Sequence, residues 1–282
     1  MTCLSPQSDR RNCHDLTMAT DPQFVAALSH GIEILRCFSP DQPILTNSAL
    51  ARMAGMPRSS VSRLTYTLVK LGYLDYETDS GAYRLGLCVL PLQPAALAGM
   101  RIDEHIAPYV TELANQLDAR VLLTTYENYS LTIVHGACPS PDIPTASLVG
   151  CEHPIPRRAT GRACLAVSNS NEREKLLAHL AHGDEGRSAA LHEESDRAVT
   201  SYRSEGYCTS LGEVRPGNNS ISVMLNVPHL GRRMFLACGG PEHRIPESVL
   251  RGRVATSLMQ TVANIERASA RLSSRIDARA SR

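Results

Sequence analysis

The chain has no tryptophan and only three phenylalanines among its 282 residues, so its cores must be built from Leu, Val, Ile, Ala and Met. It has no apolar run of about 18 residues, the length that would suggest a membrane-spanning helix. The longest apolar stretch, Leu85 to Met100, is interrupted by Pro91, Pro94 and a glutamine. Its nine cysteines are odd in number, scattered, and never form a CxxC pair, which excludes a disulfide framework and a zinc finger and suits reduced thiols. The first 17 residues lack the apolar segment of a secretory signal. They read as a polar, disordered leader over residues 1–22, with Met18 as a candidate start, and the whole is expected to be cytoplasmic. Excess charge is missing too. The net formal charge is +1, so any affinity for a polyanion must come from a local patch.

One window lacks acids altogether. Between Thr46 and Leu71 there is no Asp or Glu, whereas Arg52, Arg58, Arg63 and Lys70 all fall inside it. Val25, Leu28, Ile32, Leu35 and Phe38 recur at helical spacing just upstream, and that helix ends before Ser39-Pro40-Asp41-Gln42-Pro43. Thr46 or Asn47 is the candidate cap of a second helix. Gly55 makes a turn, and Pro57 is expected at the first position of a third helix that runs to Leu71 before Gly72. Its buried face is Val61, Leu64, Leu68 and Leu71. Tyr73–Tyr76 and Ala82–Leu85 then read as a hairpin.

This pattern is a winged helix-turn-helix over residues 23–86. The major groove of B-DNA admits one α-helix, read near its N-terminus while the preceding helix crosses the backbone. The candidate DNA-binding residues are Thr46, Asn47, Arg52, Pro57, Arg58, Ser59, Ser60, Ser62, Arg63 and Tyr66, with Arg84 on the wing for a neighbouring phosphate. A plain helical hairpin used only for dimerisation is the alternative. It would leave the chain a small-molecule-binding or hydrolytic protein.

The residues that carry a resemblance are Leu28-Ser29-His30-Gly31-Ile32-Glu33-Ile34-Leu35, Gly55-Met56-Pro57-Arg58-Ser59-Ser60, Leu68-Val69-Lys70-Leu71-Gly72-Tyr73-Leu74 and Tyr83-Arg84-Leu85-Gly86. They resemble the IclR family of bacterial transcription regulators, and Phe24-Val25-Ala26-Ala27-Leu28 with Lys70–Tyr73 most closely resembles its branch controlling aromatic-acid (protocatechuate, β-ketoadipate) catabolism. The similarity extends from about Phe24 to Leu272. It implies an α+β protein: the winged helix, a linker over residues 87–101, and a GAF-like effector-binding and oligomerisation domain over residues 102–282. In the family that linker is helical, and Pro91 and Pro94 are expected to interrupt it.

In the second half, a helix is expected over Ile102–Leu117, strands over Val121–Tyr126 and Leu131–Ala137, and helices near 171–180 and 192–204. A hairpin around Pro228-His229-Leu230-Gly231, a strand over Arg233–Cys238 and a long helix from Glu247 to Leu272 complete the reading. Ala159-Thr160-Gly161-Arg162-Ala163-Cys164 resembles the family's helix beside the effector pocket. The resemblance also places Ser210, Ser220, Ala237 and Gly239 in that pocket. Thr160 and Gly161 open a helix whose free N–H groups favour a carboxylate, and Arg157 and Arg158 lie just upstream as candidate partners for an organic acid.

The implied partners are operator DNA, a carboxylate or aromatic-acid effector, and further copies of the chain as homodimer or tetramer. No cofactor, metal or membrane is implied. His179 and His182, with His192-Glu193-Glu194, are too sparse to define a metal site. No GxSxG, HExxH, P-loop or GxGxxG occurs in a convincing strand-to-helix setting, so no catalytic residue is assigned. Cys151 and Cys164 are the residual nucleophile candidates.

Overall fold

The structure, a computed structural model, describes residues 22–100, 102–140, 145, 148–153, 155, 157–181, 183–227 and 230–280. The leader with Met18, His182 and the hairpin tip at Pro228 and His229 lie outside them. Two compact units meet in sequence between Ala96 and Leu97.

The first unit contains α1 (Ala26–Arg36), β1 (Leu45–Thr46), α2 (Asn47–Ala54), α3 (Arg58–Lys70), β2 (Leu74–Glu77) and β3 (Ala82–Leu85). Thr46 is the cap of α2: its Oγ1 accepts the Ala49 N–H at 3.3 Å. Gly55 ends α2 at φ 66°, where a side chain would be strained. Pro57 precedes α3 instead of opening it, and its carbonyl accepts the Val61 N–H at 3.1 Å. The missing proline N–H is equally harmless at either position, which is why sequence alone misplaced it by one residue. α3 stops in a Schellman turn: the Gly72 N–H reaches Val69 O and the Tyr73 N–H reaches Leu68 O.

The wing is a three-stranded antiparallel sheet of order β1-β3-β2; β1, two residues long, is too short to show alternation. Ile34, Leu45, Leu50, Val61 and Leu74 form the core, with Leu64 and Leu68 packed against it. Leu71, expected inside, is 59% exposed because the chain turns away at Gly72. Thr65 takes the interior place, its hydroxyl donating to Val61 O at 2.9 Å. α1 is also rotated from the simplest reading. Ser29 and Ile34 face inward, while Val25, Leu28 and Ile32 form an exposed apolar stripe.

Beyond the wing, a 3₁₀ turn (Leu87–Val89) leads to α4 (Leu92–Met100). The expected interruption does not occur. Pro91 stands before the helix and Pro94 in its first turn, where no N–H is needed for the ladder.

The second unit continues with α5 (Ile102–His105), α6 (Ala107–Leu117), β4 (Arg120–Glu127), β5 (Ser130–Ala137) and β6 (Glu152–His153). Next come α7 (Ala159–Val167), α8 (Ser170–Ala181), α9 (Glu185–Glu205), β7 (Cys208–Leu211), β8 (Asn218–Leu225), β9 (Arg233–Pro241), α10 (Glu247–Val249) and α11 (Ala255–Ala280). The helix expected over 102–117 is split at Ile106 because Pro108 cannot bond back across the join. α9 starts seven residues earlier than expected, where Asp184 Oδ1 caps the Arg187 N–H at 3.0 Å. A π-helical turn, Leu250–Val254, joins α10 to α11.

The six strands form one antiparallel sheet of order β6-β5-β4-β9-β8-β7. On one face Val121, Leu123, Ile221, Leu236 and Cys238 pack with Val110, Leu113, Leu258 and Val262 of α6 and α11. On the other, Leu131 and Phe235 pack with Cys164, Leu165, Leu176 and Leu191 of α7–α9. Two buried cores on one sheet, each Leu or Ile adding roughly 1.5–3 kcal/mol, make a rigid α+β scaffold.

Candidate functional site: a cation-bearing helix and a polar row on the sheet

On the first unit, α3 presents Ser59, Ser62, Arg63, Tyr66 and Lys70 to solvent at i, i+3, i+4, i+7 and i+11, opposite Val61, Leu64 and Thr65. Arg58 is exposed at its first residue, Ser60 is half-buried, and Arg52 is exposed on α2. Among the described residues, Arg52, Arg58 and Arg63 meet no carboxylate. Lys70 lies over the Tyr66 ring, 5.5 Å from its centre.

Asn47 and Ser62 are already engaged. Asn47 Nδ2 donates to Ser62 Oγ at 3.0 Å, and Ser62 Oγ donates to Arg58 O at 3.0 Å. Ser62 therefore has its one proton committed, and the pair locks α2 to α3. Arg84, the wing residue, is ion-paired with Asp75 across the hairpin at 3.3 Å, with both side chains about half exposed. Such a pair is weak and exchanges readily for a phosphate.

On the second unit, strand register arranges the expected effector residues. Ser210 lies opposite Ser220, Ser220 opposite Gly239, and Gly239 opposite Arg120. Directly paired residues share a face of the sheet, so these four form one row across β7, β8, β9 and β4. Cys208, Ser222, Ala237, Leu122 and Gly136 form the next row. Both rows lie on the face that carries Phe235 and α7.

The row is partly roofed. Ser210 Oγ donates to Arg157 O at 3.0 Å, and Arg157 Nη2 donates to Glu213 O at 2.8 Å. The exposed Arg157 guanidinium thus fastens the segment before α7 to the β7–β8 turn. Arg158 is the first-turn cap residue of α7, with no side-chain cap bond. Thr160 is 3% exposed. A Cβ on Gly161 would stand 3.0 Å from Ile155 Cα, so Ile155 seals that side of the helix start. Gly239 is glycine for a packing reason as well: a Cβ there would meet Asn219 O at 2.6 Å.

Two features had no motif to betray them. Arg162 is half-buried between Glu194 and Glu213 and donates to Thr209 O at 2.8 Å. Burial works against its charge, but hydrogen bonds to Glu213 and Glu194 outweigh it and hold the guanidinium firmly protonated. Arg120, at the end of the polar row, is the opposite case. Desolvation by burial, reinforced by nearby Arg215, lowers its pKa, and only the thiols of Cys138 and Cys238 act the other way.

Cys164, one of the two thiol candidates, is poorly suited to act as a nucleophile. Burial pushes Cys164, Cys208 and Cys238 up to about 12, leaving them protonated near neutrality. His179 stacks on Tyr129, ring centres 4.7 Å apart, and His192 bonds Glu174 at 3.0 Å.

Comparison with known proteins agrees with both units. Residues 27–78 match the IclR helix-turn-helix domain, and residues 94–266 match the bacterial transcriptional regulator IclR C-terminal domain. The chain is 30% identical to the HTH-type transcriptional regulator TsaQ1/TsaQ2 of Comamonas testosteroni, over 86% of this chain and 87% of that one. The crystal structure of an IclR family transcriptional regulator from Brucella abortus superposes with a TM-score of 0.81 at 32% identity, covering 88% of this chain and 94% of the other. An IclR homolog from Microbacterium hydrocarbonoxydans complexed with 4-hydroxybenzoate shares the fold at TM-score 0.62 and 19% identity, over 86% and 98% of the two chains. The protein is a member of the IclR family of DNA-binding transcriptional regulators.

Proposed function

We propose that this regulator inserts α3 into the major groove of its operator and changes its grip when a small carboxylic acid, aromatic in the favoured case, occupies the polar-row face of the second unit. The observation that carries the DNA half is the trio Arg52, Arg58 and Arg63. They are exposed and acid-free on the very helices that a groove reader presents. Arg58, Ser59 and Arg63 are positioned for base edges and phosphates, Ser60 and Tyr66 beside them, and Thr46, Asn47, Ser62 and Pro57 shape the helix start. Arg84 reaches a phosphate by leaving Asp75.

The effector half rests on the row Ser210, Ser220, Gly239 and its neighbour Ala237, beside the opening turn of α7 with Arg158, Thr160 and Gly161. Arg157 serves as the clasp of that turn. A relative of the same fold holding 4-hydroxybenzoate supports an aromatic acid as the ligand class. The working organisation is a winged helix over residues 23–86, a helical linker and an effector domain from residue 102.

Dimerisation is part of the reading, because one winged helix covers too few base pairs for a unique site. Its support is the exposed stripe Val25, Leu28 and Ile32, with Leu87 at 77% exposure, an apolar surface that a second copy would cover.

A mobility-shift titration against DNA flanking the protein's own gene, at two salt concentrations and with protocatechuate or 4-hydroxybenzoate, tests the proposal. Specific binding that weakens steeply with salt and responds to an acid is expected. Specific binding indifferent to every acid at millimolar concentration overturns the effector half, and no specific binding overturns the whole.

A further inference from the structure

Among the described residues, Arg120 is the sheet arginine that faces the α7–α9 side without a carboxylate partner. Its backbone pairs with Gly239, so its side chain leaves the sheet on the same face as Gly239, Ser220 and Ser210. Among the described residues it makes no ion pair or hydrogen bond through its guanidinium. The groups that bear on its charge are two thiols and another cation, Arg215, on the β7–β8 turn. A desolvated guanidinium beside a second cation is unfavourable on its own. Elsewhere in this unit the chain avoids that situation: Arg162, comparably enclosed, is clamped by two glutamates. Small residues flank Arg120 on the sheet, Gly239 in its own row and Ala237 in the next, both buried.

We infer that Arg120 is the specificity-determining residue of the effector face: it receives the ligand's carboxylate, and the ligand's apolar body lies along Gly239 and Ala237 toward Ser220. This rests on the proposed effector function and sharpens it. The acid group is read from the start of β4, at the opposite end of the row from Arg157, and Arg157 is spared for the clasp. A planar fork donating to both carboxylate oxygens favours an acid over a neutral isostere of the same shape.

The test compares 4-hydroxybenzoate with 4-hydroxybenzamide by calorimetry on the full-length wild-type protein, Arg120→Gln and Arg157→Gln, with thermal unfolding of each without ligand. Wild type is expected to prefer the acid at least tenfold. Arg120→Gln is expected to erase that preference by losing affinity for the acid alone, and Arg157→Gln to keep it. Without ligand, Arg120→Gln should unfold at the wild-type temperature or above, because it removes an uncompensated cation. An Arg120→Gln protein that still prefers the acid, or that unfolds well below wild type, overturns the inference and leaves the effector function standing. A wild type that binds neither compound overturns the effector function and this assignment together.

Discussion

On the second unit Arg162, Arg197, Arg232, Arg233, Arg244 and Arg251 each face a carboxylate, as Arg36 and Arg84 do on the first, whereas among the described residues Arg52, Arg58 and Arg63 of α2 and α3 face none. The exposed pairs add little stability, about 0–1 kcal/mol each, so stability does not explain the difference. Its consequence is electrostatic. The larger unit largely neutralises its own charge, and the positive potential of a nearly neutral chain is concentrated on α2 and α3, where a polyanion can use it. Among arginines elsewhere that lack an acid, Arg157 is held by Glu213 O and Arg253 by Gln116 O, whereas those of α2 and α3 stand open to an anion, and Arg120 is their proposed counterpart on the sheet.

The sharpest way to break that comparison is to make a paired arginine behave like an unpaired one. Arg162→Ala strands Glu194 and Glu213 in a partly buried site and should cost about 3 kcal/mol of folding stability, read by urea denaturation. The intact domain's DNA contacts should survive in the folded fraction. Arg58→Ala and Arg63→Ala should each cost about 1–3 kcal/mol of operator affinity with no matching loss of stability. Equal losses on random DNA would make them phosphate anchors, and Arg197→Ala weakening DNA binding as much would end the comparison.

A smaller effect is expected from Thr46→Ala, which frees the Ala49 N–H at the start of α2 and should cost about 1 kcal/mol in thermal unfolding. The smallest belongs to the His192–Glu174 pair. The hydrogen bond to Glu174 raises the His192 pKa above its usual 6.5. Its stabilisation is therefore complete below about 6.5 and lost as pH rises through the elevated folded-state value. Unfolding of His192→Gln followed from pH 5.5 to 8.5 should converge on wild type at the alkaline end, and a constant gap would refute the linkage.

Much of the first unit was legible because its signals are local: Thr46, Gly55, Pro57 and Gly72 punctuate the helices, and the acid-free window needs no long-range contact. What escaped there was orientation. Periodicity located α1 but not which face turns inward, since Val25, Leu28 and Ile32 make as regular a stripe as a buried one would. In the second unit, Ser210, Ser220 and Gly239 could be named from resemblance, but their alignment depends on three strand registers that join residues far apart in sequence. Arg120 and the Arg162 clamp were invisible for the same reason: their meaning lies in neighbours 32 to 119 positions away, from Glu194 beside Arg162 to Gly239 beside Arg120. The prolines of the linker misled in the other direction, because a proline is a breaker only beyond the first turn.

The crossing of Gly86 over Gly72 has a mechanical reading. The Gly86 N–H bonds Tyr73 O at 2.8 Å, and a Cβ on Gly86 would stand 2.2 Å from Gly72 O. The strand leaving the wing is thus riveted to the tail of α3 with no slack between them. A rotation of that strand would therefore be passed on to α3, about 20 Å of helix. Turning the pair together by roughly 10° would carry the far tip of α3, where Arg58 stands, by about 3.4 Å, the rise of one base step.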